Sequence, residues 1–138
     1  MTKQLITIET EIEEPMELVW ELWNNQDDIV NWYFASEDLE SSSARNDLVP
    51  GGQFSYHLNA KDKSFGFDFA GVYEEVNERE HIKYKLGDDR ISNIYFVDKG
   101  DSVHIKQEFE AESQNDPEMQ RAGWQARLNN FKGYADGK

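Results

Sequence analysis

The sequence contains no cysteine. Disulfides, thiolate nucleophiles and cysteine-ligated metals are therefore excluded. Basic residues are also scarce: 14 Lys and Arg face 28 Asp and Glu, for a formal net charge of −14. That surplus of carboxylate repels phosphate backbones and anionic membrane surfaces. The few lysines and arginines are scattered singly among acids and form no basic patch, so no nucleic-acid partner is expected. The acidity reads as a solvated surface. Long apolar runs are missing too, and nothing approaches the roughly 20 residues of a membrane helix. The amino-terminal MTKQLITIETEI lacks the apolar core and small-residue cleavage site of a secretory signal. A cytoplasmic protein without membrane insertion is the expectation. Nucleophile elbows, phosphate-cradling glycine loops and dinucleotide fingerprints are absent as well.

What is present is aromatic. Phe, Trp and Tyr make up 13% of the chain against 38% for all hydrophobic types, so the rings are the main apolar material. The 138 residues suit one domain, 1–138, with a sizeable core.

The most strongly patterned stretch is the last, DPEMQRAGWQARLNNFKGY from Asp116 to Tyr134. Asp116 suits an N-cap, Pro117 the first helical position and Glu118 the positive end of the dipole. Trp124, Leu128 and Phe131 recur at helical spacing, and Ala135 continues the stripe. A helix from Pro117 to Tyr134 is about 27 Å long, enough to cross a small domain.

Upstream the pattern is strand-like. Lys3 to Ile12 alternates, with Ile6, Ile8 and Ile12 on one face. Pro15 opens a short helix with Met16, Val19, Leu22 and Trp23 on its apolar side, and Asp27 to Trp32 suggests a further turn or two. Those turns bring Trp32, Tyr33 and Phe34 against the core. Ser41 to Asn46 reads as a polar loop running into a strand near Leu48, and Gly51-Gly52 as a tight turn. A meander follows. Phe54, Tyr56 and Leu58 point inward from one strand, opposite Ser55, His57 and Asn59. Phe65, Phe67, Phe69, Gly71 and Tyr73 form a ladder on the next. Ile82, Tyr84 and Leu86 line a third. In Arg90 to Val97, Ile94 and Phe96 compete with Ile91, Tyr95 and Val97 for the inner face. Val103, Ile105 and Phe109 face in from the last strand, interrupted by Gln107. Tight connections force these strands antiparallel. Their greasy face and the helical stripe need each other. The fold class is α+β.

GGQF-x-Y, SFGFDFAG-x-Y, LGDDR and GWQARLNNFK-x-Y, together with the earlier PMELVWELWN and NWYF, resemble the activator of heat-shock ATPase homologue family. That group belongs to the START-like, polyketide-cyclase superfamily. The resemblance implies a helix-grip fold, in which a curved antiparallel sheet wraps a long C-terminal helix and two short helices follow strand 1. It also implies an apolar cavity between sheet and helix, with a possible place in stress response.

His57, His81 and His104 all take the outward parity of their strands, away from shelter, so no metal site is expected. The acids sit on turns or outward positions such as Asp68, Glu74, Glu108 and Glu110, and no inward acid–base pair is identified. The aromatic ladder has two readings, as core or as pocket lining. In the second, a small hydrophobic ligand, lipid-like or polycyclic aromatic, lies against Trp32, Phe54, Tyr56, Phe67, Phe69, Tyr73, Tyr84, Phe96, Gln107, Trp124 and Leu128. Tyrosine hydroxyls and Gln107 would orient it. Gln107 and Arg90 either face this cavity or reach water at an end of the sheet. No cofactor is expected. The alternatives are a chaperone-interacting module, as the family name suggests, and a cyclase-like enzyme. Gly71, the one glycine on its face, marks either a bulge or a close approach by helix or ligand.

Overall fold

The computed structural model describes residues 4–34, 38–87, 89–112 and 116–136. Strand β1 (Leu5–Ile12) leads into α1 (Met16–Asn24) and the single-turn α2 (Gln26–Ile29). Strands β2 (Leu39–Asn46), β3 (Gln53–Ala60), β4 (Gly66–Asn77), β5 (His81–Leu86), β6 (Ile91–Asp98) and β7 (Val103–Glu110) follow, then α3 (Pro117–Ala135). The seven strands form one antiparallel sheet in the order β1-β7-β6-β5-β4-β3-β2. Only the step from β1 to β2, carried by α1 and α2, spans the sheet from edge to edge. This is the expected helix-grip arrangement.

Helix α3 begins as its sequence dictates. The Asp116 carboxylate accepts the Glu118 N–H at 2.8 Å, with Pro117 in the first turn. It lies along β1, an edge strand whose outer carbonyls would otherwise be unpaired. Arg121 Nη1 donates to the Thr7 carbonyl at 2.6 Å, Gln125 Nε2 to that of Glu9 at 3.2 Å, and Lys132 Nζ to that of Glu11 at 2.6 Å. The Glu13 N–H donates to Asp136 Oδ1 at 3.0 Å. These bonds fix the helix so that Leu128, Phe131 and Ala135 are buried. Trp124, next on the stripe, is only half-buried and stacks on Phe109 at 3.8 Å between centroids.

Strand β6 resolves its own ambiguity: Ser92, Ile94 and Phe96 face in, while Tyr95 and Val97 are exposed. Several expectations need correction. Ser41 to Asn46 is not a loop. It belongs to β2, paired with β3 through a register shift between Ser41 and Ser43, and Leu48 lies past the strand's end. A strand with one neighbour and a wet face is held by backbone pairing, so its side chains carry no apolar alternation. Asn59, expected outside, is buried at the end of β3, where its Nδ2 donates to the Ala60 carbonyl at 3.0 Å. The aromatic ladder on β4 is buried only in part. Phe65 and Phe67 are 56% and 46% exposed, because α3 packs along β1, at the far edge of the same face, and does not reach this end of β4. Lys3 falls outside the described residues, as does Asp88 of the turn after β5.

Gly71 marks a close approach, though not by helix or ligand. A Cβ there would lie 2.7 Å from the Lys85 carbonyl oxygen and 2.8 Å from the Phe54 ring. The absent side chain lets Phe54 lie across β4. The register shift in that strand falls later, between Tyr73 and Glu75.

A candidate binding site between sheet and helix

The inner face of the sheet differs along its length. Under α3 it is mainly aliphatic, with Phe109 stacked on Trp124. On β3, β4 and β5, farther from the helix, it carries Phe54, Tyr56, Tyr73 and Tyr84. These rings pack on one another, with Phe54 5.2 Å from both Tyr56 and Tyr73 and 4.9 Å from Tyr84. Trp32 and Tyr33 close over them from the segment after α2, Tyr33 lying 4.6 Å from Tyr56. Trp32 is locked by its indole N–H, which donates to the Leu22 carbonyl at 3.1 Å.

Buried hydroxyls must be satisfied. Tyr73 donates to Asn46 Oδ1, and Asn46 in turn holds the Asn24 carbonyl at 2.7 Å through Nδ2. Gln107 Nε2 donates to Ser92 Oγ at 2.9 Å and Tyr84 Oη at 3.2 Å. The hydroxyls of Tyr33 and Tyr56 share this enclosed cluster with those of Tyr73 and Tyr84. Burial drives the hydroxyl pKa of all four tyrosines upward, and for Tyr33 and Tyr84 the nearby charge of Arg127 partly opposes that rise.

At the centre of this cluster a small void remains. Its walls include Trp32, Phe54, Tyr56, Tyr73, Tyr84, Gln107, Trp124 and Leu128, eight of the eleven residues expected to line a cavity. Only about 20 Å³ stays open to the centre of a water-sized sphere. That is room for about one water. The expected cavity is thus largely filled by its own side chains. On the far side of Phe54 an open groove of about 1000 Å³ runs past Asn46, Gly71, Lys85 and Leu86. The Phe54 ring therefore separates the interior void from a ligand-sized space.

Three expected residues lie elsewhere. Phe67 is at the exposed lip of β4. Phe69 is half-buried at the rim, 6.0 Å from Trp124. Phe96 is buried beneath α1, edge-on to Trp20 at 5.3 Å and Trp23 at 5.6 Å, because the helix covers that end of β6. Gln107 faces the void; Arg90 does not line it. The cation that does is Arg127, which sequence reasoning passed over. Its guanidinium lies 4.3 Å from the Tyr33 ring centroid, 4.6 Å from Trp124 and 5.1 Å from Phe69. Spacing held the signal, since Arg127 is three residues after Trp124 and one before Leu128, on the shoulder of the buried stripe. Tyr33, Trp23, Ile82 and Ile94 complete the wall.

The histidines stand on the outer surface: His57 pairs with Asp68 at 2.8 Å, His81 with Asn93 at 2.8 Å while stacking on Tyr95, and His104 with Glu9 at 2.9 Å and Glu11 at 3.7 Å. Among the described residues no group of three or more His, Asp or Glu is placed to hold a metal. Nor is any helix among them long and apolar enough to cross a membrane.

Comparison with known proteins fits this geometry. The family model described as Activator of Hsp90 ATPase homolog 1-like protein matches residues 13–136. The chain belongs to this family. An AHSA1-like protein from Aeromonas hydrophila, solved in solution, is 39% identical over 95% of this chain and 91% of that one, with a TM-score of 0.90. Chr148 from Cytophaga hutchinsonii is 42% identical over 94% and 90%, with a TM-score of 0.82. CV1439 from Chromobacterium violaceum, at 20% identity, shares the fold, with a TM-score of 0.86 and 98% and 99% of the two chains covered. Among curated proteins, none matches. The helix-grip fold of this AHSA1-like chain is compatible with ligand binding.

Proposed function

We propose that the protein binds a small hydrophobic ligand, lipid-like or polycyclic aromatic, between β3–β5 and α3. One observation carries the reading. Four buried tyrosines and Gln107 line one void inside an aromatic wall. Burying polar groups costs stability relative to a plain apolar core. Ligand sites are built of this mixture, mostly apolar with a few placed polar groups. Entry requires Phe54 or the rim rings to move, and the groove beside Phe54 offers the space. The reading is of a binder and not a catalyst. Its support is that the convergent groups are tyrosines with raised pKa values, which are poor proton acceptors at neutral pH.

The test is titration with neutral, fluorescent N-phenylnaphthylamine. Saturable binding at one site, with a blue shift and quenching of the tryptophans, is expected. A linear, non-saturating response up to the probe's solubility limit would sink the proposal. A second reading, contact with a chaperone, rests on the family's description alone. Saturable capture of the purified chaperone by the purified protein is its test, and lack of capture at high micromolar concentration would remove it.

A further inference from the structure

We propose that Arg127 is the anchor for the charged end of the ligand, so that the ligand class is an aromatic or polycyclic body bearing a single anionic group such as a carboxylate. This rests on the binding reading above and narrows it.

With 28 acids and 14 bases, a basic side chain in this protein has carboxylates in abundance. Six lysines and Arg121 each stand within 4.0 Å of one. Arg127 does not: among the described residues it has no ion-pair or hydrogen-bond partner. It is nonetheless half-buried on the wall of the interior void, against the faces of Tyr33, Trp124 and Phe69.

Ring faces stabilise a guanidinium from above and below its plane. They leave its five N–H donors, which lie in that plane, free to receive a planar oxyanion in two parallel bonds. An arginine whose only task was to cover Trp124 with its stem would carry its head into water, toward the surrounding acids. This one is held at the void, where an anion would be its first charged partner. The long-range field works with it. A net charge of −14 disfavours anions at the surface, and disfavours multiply charged ones most, so one local cation selects a ligand of low charge with a large apolar body.

The experiment compares naphthylacetate with its neutral isostere naphthylacetamide, by calorimetry, on the full chain and on Arg127→Gln. The acid should bind the parent about tenfold more tightly than the amide, the effect of one charge-assisted contact. In Arg127→Gln the ratio of the two affinities should fall to about one. The ratio is the readout, so a general loosening of the pocket, which weakens both ligands alike, does not mimic the result. If Arg127→Gln fails to fold, Arg127→Lys keeps the charge but loses the planar fork, and should retain only part of the preference. A ratio near one in the parent overturns the inference, as does a preference that survives Arg127→Gln. If N-phenylnaphthylamine binds and the acid shows no advantage, only the anchor is wrong. If neither naphthalene ligand nor the neutral probe binds, the binding reading fails and the anchor fails with it.

Discussion

The two sides of the sheet's inner face are built differently. On β1 and β7, Ile6, Ile8, Ile12, Val103, Ile105 and Phe109 are all buried, with Thr10 and Gln107 the polar residues among them. Helix α3 lies along that side, and mostly aliphatic side chains, with the Phe109 ring stacked on Trp124, close it. On β3, β4 and β5 the cover is Trp32 and Tyr33, and the sheet answers with Phe54, Tyr56, Tyr73 and Tyr84. Here lie the void, the hydroxyl network and the cation. Packing alone would favour the first solution everywhere, since every buried hydroxyl needs a partner held in place. The tyrosine side departs from it, which is why function is sought there.

The largest test of that contrast is alkaline titration. Burial holds the protons of Tyr33, Tyr56, Tyr73 and Tyr84 more tightly in the folded state than in the unfolded chain. Unfolded tyrosines titrate near pH ~10, so this stability is fully present below about pH 10 and is lost as pH climbs toward the folded values. Each tyrosine that stays protonated while its unfolded counterpart ionises contributes a slope of about 1.4 kcal/mol per pH unit, so several such groups remove a few kcal/mol within about one unit above pH ~10. Denaturant melts from neutral to alkaline pH should show this fall, and tyrosinate absorbance should rise cooperatively with unfolding. Tyr84→Phe should flatten the slope. Independent, non-cooperative titration of all the tyrosines near pH ~10 in a folded protein would mean the hydroxyls are not enclosed.

For the helix that grips the sheet the matching test is Phe131→Ala. Phe131 is fully buried, edge-on to Trp23 at 4.9 Å and Trp32 at 4.7 Å. Deleting such a ring costs about 3–5 kcal/mol. Urea melts check it, and a loss below about 1 kcal/mol would show that the grip of α3 on the sheet has been misjudged.

Sequence pattern made much of this legible, and its failures are physical. The stripe Leu128, Phe131 and Ala135, the cap at Asp116 and the alternation of β1, β3, β5 and β7 could be read because one face of each meets the core. Strand β2 could not, since an edge strand with a polar outer face leaves no alternation to detect. Phe65 and Phe67 share the parity of Tyr73, and parity does not say where the covering helix stops. Whether the aromatic interior is hollow was beyond reach too, because filling depends on rotamers and on Phe54 occupying the space Gly71 vacates. Arg127 was missed because a charged residue on the shoulder of a stripe is usually solvated.

Gly71→Val probes the tyrosine side at smaller scale. Its new methyls would meet the Lys85 carbonyl and the Phe54 ring, not empty space. Overpacking of this kind costs about 1–3 kcal/mol. Moving Phe54 should also alter the partition between groove and void, so N-phenylnaphthylamine affinity should change in the same protein. A variant with parental stability and parental probe affinity would show that Phe54 has room to move and does not gate the interior.

The smallest effect is expected at the lip, with Phe67→Thr. Phe67 is 46% exposed although it has the inward parity of β4 and pairs across to Leu58 of β3. Threonine keeps strand propensity, so only the ring is lost. If the lip is open in solution, the ring is poorly buried and its removal should change stability by less than about 0.5 kcal/mol. The comparison is then sharp: two phenylalanines on apolar faces, Phe131 and Phe67, differ by several-fold in cost because a helix covers one and not the other. A loss above about 1.5 kcal/mol at Phe67 would place it in a packed environment, on the scale of a buried side chain. The tyrosine side would then be closed at its rim as well, and ligand entry would have to run through the groove beside Phe54 alone.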